Sequence, residues 1–157
     1  MKRMKRVAAL ALALMLSLTL CACGGDRAEI KRTLNDFEHA CQTMDLNELL
    51  DCIEPSTAST FRTGAGLIGA LTGQSSTELL DSVVPFLFGE SYADSAFLNS
   101  IEIEIEGIAV TDDAATAMGT VSFLINGETL VKDTTFRLVK QGDKESQAWY
   151  ISDIDFN

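Results

Sequence analysis

Gly119-Thr120-Val121-Ser122-Phe123-Leu124-Ile125-Asn126-Gly127-Glu128-Thr129-Leu130-Val131-Lys132-Asp133-Thr134 is the segment whose reading decides the fold. Asn126 and Gly127 both tolerate the positive φ that a two-residue hairpin turn requires. Counting outward from that turn places Phe123 opposite Leu130, Val121 opposite Lys132, Gly119 opposite Thr134, Ala117 opposite Phe136 and Ala115 opposite Leu138, all on one face. Small residues meet large ones along this face, as a curved and packed surface needs.

Upstream, Ile101, Ile103 and Ile105 alternate with Glu102, Glu104 and Glu106, the period of a half-buried strand with its acids in water. After Gly107 the apolar parity flips to Ile108 and Val110, which predicts a bulge. If Asp112-Asp113 is a second two-residue turn, Val110 meets Ala115 and Ile108 meets Ala117. The bulge then restores Ile105 opposite Gly119, Ile103 opposite Val121 and Ile101 opposite Phe123. Downstream, the polar loop 141–147 leads into a last strand, 148–156, completing a four-stranded antiparallel meander.

The N-terminal half is helical in period. Asp26 and Glu29 have capping-box spacing, and Ile30, Leu34, Phe37, Cys41 and Met44 then recur at helical intervals. Asp45 and Glu48 repeat the signal before Leu46, Leu49, Leu50 and Ile53, and Pro55 stops that stripe. The glycine-rich region 56–98 begins with a candidate helix over 56–73, whose glycines make either a docking face or a face for tight burial. A capped helix over 75–84 follows, ended or kinked by Pro85.

The expected architecture is α+β, with N-terminal helices packed on a curved four-stranded antiparallel sheet. This arrangement resembles the NTF2-like or cystatin-like roll of small bacterial lipoproteins, and Met44-Asp45-Leu46-Asn47-Glu48-Leu49-Leu50-Asp51-Cys52-Ile53-Glu54-Pro55 is similar to the second-helix segment of that group. The resemblance implies a scaffold used by isomerases, dehydratases, transport adaptors and domains of unknown role, so it selects no activity.

The first six residues carry four cations and no acid, and the run Val7–Leu20 is 14 residues long. A spanning helix needs about 20, so this layout predicts a signal peptide over 1–22. Leu20-Cys21-Ala22-Cys23-Gly24-Gly25 resembles a lipobox, with Cys23 as the lipidated residue; Cys21 is excluded because Leu20 would occupy the −1 position. The expected product is acylated at Cys23, tethered through 23–27, and held at the extracytoplasmic face of the cell membrane with a single domain over 28–157. Its eight cations oppose twenty-three acids, a net charge of −15. That field repels phosphate backbones and anionic lipid heads alike, so nucleic acid is excluded as a partner.

Cys41 and Cys52 remain as an even pair in an oxidising compartment, either bridged or buried as core thiols. No nucleophile motif, phosphate loop, cofactor motif or metal-ligand spacing is present. His39 falls on a polar helix face. Lys132 is the charged member of the inward register, either a rim lysine or an amine that anchors a ligand. Alternate glutamates on β-spacing lie about 7 Å apart, too open for calcium without further ligands. The sequence therefore predicts a non-enzymatic envelope domain that binds a small apolar ligand or a partner protein. The alternatives are an isomerase- or dehydratase-like enzyme and a structural envelope protein without ligand.

Overall fold

The computed structural model describes residues 24–72, 80–81, 84–85, 88, 95–143 and 145–157. Helix α1 occupies 24–43 and buries Ile30, Leu34, Phe37, Ala40 and Cys41 along one stripe. It ends without a glycine. Met44 takes the left-handed conformation (φ 54), and the Met44 and Asp45 amides donate to the Cys41 and Ala40 carbonyls, both at 3.0 Å. This closure satisfies carbonyls that a helix end otherwise leaves open.

Asp45 then caps the next helix, α2 (Leu46–Asp51), as its spacing predicts. Its carboxylate accepts from the Asn47 and Glu48 amides, while Leu46, Leu49 and Leu50 are buried. Pro55 does more than end this stripe, because it opens α3 (Pro55–Thr72), where a missing N–H costs nothing. Between α2 and α3, Ile53 forms a parallel bridge to Ile151. The Ile151 amide donates to the Cys52 carbonyl at 2.8 Å, and Glu54 N–H to the Ile151 carbonyl at 2.9 Å.

Tight packing through the α3 glycines is not found at Gly64 or Gly66, where an added Cβ would meet nothing within 4 Å. The capped start expected at 75–78 lies outside the described residues. Farther on, Leu80, Val84 and Phe88 are buried, and Pro85 and Phe88 are both in helical conformation. Residues 86–87, where an end or kink at Pro85 would show, lie outside the described residues. A 3-10 helix, Ser95–Ser100, leads into the sheet.

The strands are β1 (Glu102–Thr111), β2 (Ala114–Ile125), β3 (Glu128–Gln141) and β4 (Ala148–Phe156), in the order β1-β2-β3-β4. Asn126 and Gly127 both have positive φ, 54 and 84, and every β2–β3 pair counted from that turn is observed. The β1–β2 ladder likewise pairs Ile108 with Ala117, Ile105 with Gly119 and Ile103 with Val121, and leaves Glu106 as the bulged residue. Ile101 precedes the strand instead of pairing with Phe123; it is buried, and its carbonyl accepts from Gln42 Nε2 at 2.7 Å. A second irregularity, which no glycine announces, leaves Ser152 extra on β4 opposite the step from Arg137 to Leu138. Two bulges bend the sheet around the helices.

The concave face carries a ladder of rings. Phe88 stands between Phe37 (6.1 Å), Phe97 (5.4 Å) and Phe156 (5.7 Å), and Phe97 continues to Phe123 (5.2 Å). Thr134 is the buried polar side chain of this core, and its hydroxyl donates to the Lys132 carbonyl at 3.0 Å.

Candidate functional site

Residues 24–27, expected to belong to a tether, form the first described turn of α1. Asp26 therefore lies inside the helix, and its carboxylate reaches the sheet. It accepts from Lys140 Nζ at 2.7 Å and Trp149 Nε1 at 3.2 Å, with the ammonium 5.6 Å from the indole centroid. The Lys140 hydrogen bond lowers the Asp26 pKa and, reciprocally, raises that of Lys140. The Lys140 amide also donates to the Asp113 carbonyl at 2.8 Å. The start of α1 is thus clamped toward the end of the sheet that carries the Asp112-Asp113 turn.

Two open grooves flank α1. One, about 590 Å³, is bounded by Arg32, Asp36 and His39 of α1, Glu48 and Asp51 of α2, and Tyr150 of β4. His39 is exposed, as its place on a polar face predicts. The other, also about 590 Å³, runs between Gly24, Arg27, Ala28 and Lys31 of α1 and the bulge of β1 at 105–108. Among the described residues, no group of three or more His, Cys, Asp or Glu is placed to hold a metal ion. Glu102, Glu104 and Glu106 are exposed along β1, while Asp153 and Asp155 are engaged by Arg137.

Cys41 and Cys52 are both buried and free. Burial pushes the Cys52 thiol up to about 12. Burial, joined by the neighbouring Cys52, carries Cys41 well above the ordinary thiol value. Both are held as protonated core groups and are poor nucleophiles in the native state. Cys23 and residues 1–22 lie outside the described residues, and among those described no helix is long and apolar enough to cross a membrane.

No protein-family model matches the chain, and no curated protein matches it. A solved structure does: an NTF-2 like protein of unknown function from Shewanella oneidensis MR-1 superposes with a TM-score of 0.51 at 14% identity, covering 83% of this chain and 97% of that one. The fold is NTF2-like.

At its Asn126-Gly127 end this NTF2-like sheet narrows to the β2–β3 hairpin alone. The β1–β2 ladder ends at Glu102 with Ser122, and the β3–β4 ladder ends at Thr134 with Phe156. Beyond both ladders Phe123–Ile125 pair with Glu128–Leu130, while Val131–Asp133 still pair with Thr120–Ser122; Phe123 is buried, and the Leu124 amide donates to Ser100 Oγ at 2.8 Å. These three rungs carry the arm about 10 Å past the β1–β2 ladder at about 3.4 Å per residue. Its side chains are apolar on both faces: Leu130 (39% exposed) on the concave side, Leu124 (49%) and Val131 (61%) on the convex side. Lys132 is half-buried where the concave face meets the arm, and it makes no ion pair among the described residues. The arm was missed from sequence because its residues alternate like the rest of the strands; what sets it apart is where β1 and β4 stop.

Proposed function

We propose that the protein is a membrane-tethered extracytoplasmic lipoprotein, acylated at Cys23, whose NTF2-like domain recognises a partner protein through the β2–β3 arm. The observation that carries this reading is the arm itself, since Leu124, Leu130 and Val131 expose apolar area around one projecting turn. Side chains left in water on both faces of a hairpin fit a cleft that closes around it, and clustered exposed apolar residues mark interaction sites. Direction supports the same reading. β2 spans about 36 Å from Ala114 to Ile125 at about 3.3 Å per residue, and the clamp at Asp26 places the chain start at the opposite end. An acyl anchor at Cys23 leaves the arm pointing away from its own membrane.

A small apolar ligand inside the roll is the less favoured occupant, because five phenylalanine rings already meet along the concave face. An isomerase-like enzyme needs an acid or base sheltered from water. Here the histidine and carboxylates of the α1–α2 groove are on the exposed surface.

A photo-crosslinking residue at Val131 in membranes of the producing cell tests the reading. A discrete protein adduct is expected, and Leu124→Asp should abolish it while leaving the fold intact. No adduct, or one that forms equally from Glu104 on β1, overturns the proposal.

A further inference from the structure

We infer that the groove between the first two turns of α1 and the Gly107 bulge of β1 seats an anionic phospholipid headgroup, which holds the domain in one orientation on its membrane. The inference rests on the lipid anchor proposed at Cys23.

Three observations converge on this groove. The first is where the chain outside it ends: Cys23 immediately precedes Gly24, and Gly24 already lines the groove. An acyl anchor there has no linker to swing on, since the helix is formed from residue 24 and Asp26 is bonded to Lys140 and Trp149. The surface around Gly24 must therefore meet the headgroup layer. The second is charge. The mature chain carries −15, yet Arg27 and Lys31, one helical turn apart, both line this groove, and neither makes an ion pair among the described residues. Arg62, Arg137 and Lys140 have carboxylate partners, whereas Arg32 and Lys132, like these two, have none among the described residues; what sets Arg27 and Lys31 apart is that both line one groove beside Gly24. Cations in the first turns of a helix oppose its macrodipole, so helix stability does not explain their position. The third is the facing wall, where half-buried Ile105 and Ile108 offer apolar surface to the glycerol end of a lipid and exposed Glu106 is the acid of the bulge. Paired cations beside an apolar wall match a phosphate on a diacylglycerol.

The test uses the full chain, processed and acylated by a bacterial host, then reconstituted into vesicles of phosphatidylcholine alone or of an equimolar mixture with phosphatidylglycerol. A fluorophore is attached through Ala109→Cys beside the groove or Asn126→Cys at the arm, and its quenching by headgroup-nitroxide lipid is measured. Quenching should be strong at position 109, greater with phosphatidylglycerol, and weak at position 126. Arg27→Gln with Lys31→Gln should remove the phosphatidylglycerol-dependent increment, and Arg62→Gln should keep it. Equal quenching at both positions, or an increment that survives the double substitution, overturns the inference while flotation with the vesicles still supports the anchor. Protein that does not float overturns the anchor itself, and the inference with it.

Discussion

Replacing Gly119 with Ala puts a methyl carbon 1.9 Å from the Glu104 carbonyl oxygen and 2.9 Å from both the Glu104 carbonyl carbon and Ile105 Cα. All three atoms are backbone, so no side chain can rotate to make room. A close carbon–oxygen contact is about 3.3 Å, which means β1 has to retreat by roughly 1.4 Å beside its own bulge. Overpacking of this kind costs about 1–3 kcal/mol. Loosening one or two ladder hydrogen bonds around the Ile105–Gly119 pair adds about 1 kcal/mol each, for a total of about 2–5 kcal/mol. For a domain of this size that lowers Tm by about 8–20 °C. Two other glycines serve as controls. At Gly107 a Cβ meets nothing within 4 Å, so Gly107→Ala should stay within about 0.5 kcal/mol of the parent. At Gly127 space is also open but φ is +84, and Gly127→Ala should cost about 1 kcal/mol for the left-handed conformation. Urea titrations followed by circular dichroism rank the three. A Gly119→Ala protein as stable as Gly107→Ala would refute the strand register and the bulge together.

Asp26→Ala should destabilise by about 1–3 kcal/mol, because Lys140 loses a charge-assisted bond and the Trp149 N–H loses its acceptor. The Asp26 pKa is depressed by folding, so the ionic part of this contribution is present above the ordinary carboxylate value of 3.8 and is lost as pH falls through the lower folded value. Lys140 gives the mirror image, a contribution intact below 10.5 and lost as pH rises through its raised value. The gap in urea midpoint between wild type and Asp26→Ala should therefore be widest near neutral pH and narrow in strong acid; a gap independent of pH would contradict the clamp. Asp45→Ala should cost about 1 kcal/mol and Asp45→Asn much less, measured by the same titration. Alkylation without reductant should be slow at Cys41 and Cys52 in the native protein and complete at both after unfolding; a linked peptide carrying both residues would contradict their free, buried state.

The hairpin about Asn126-Gly127 was legible because its turn chemistry is local, and a strand's period of two propagates one correct turn along the whole register. Asp112-Asp113 and the Gly107 bulge were legible for the same reason. What escaped the sequence depends on distant partners. Asp26 has the spacing of a cap, but its carboxylate serves Lys140, 114 residues away. The end of α1 at Met44 lacks the usual glycine, and the β4 bulge at Ser152 lacks any marker. The glycines at 64 and 66 suggested close packing, yet space there is open. Lys132 was placed correctly in the inward register, while the arm beside it emerged only when the ends of β1 and β4 were known. The grooves on α1 join it to elements far away in sequence, α2 and β4 in one and β1 in the other, a juxtaposition that no local pattern encodes.

Acylation at Cys23 is tested by intact mass spectrometry of the mature protein from a bacterial host. A chain beginning at Cys23 is expected, heavier than residues 23–157 by at least a diacylglyceryl group, with Cys23→Ser unprocessed or released from the membrane fraction. A mature chain that begins elsewhere, or that carries no lipid at Cys23, would contradict it.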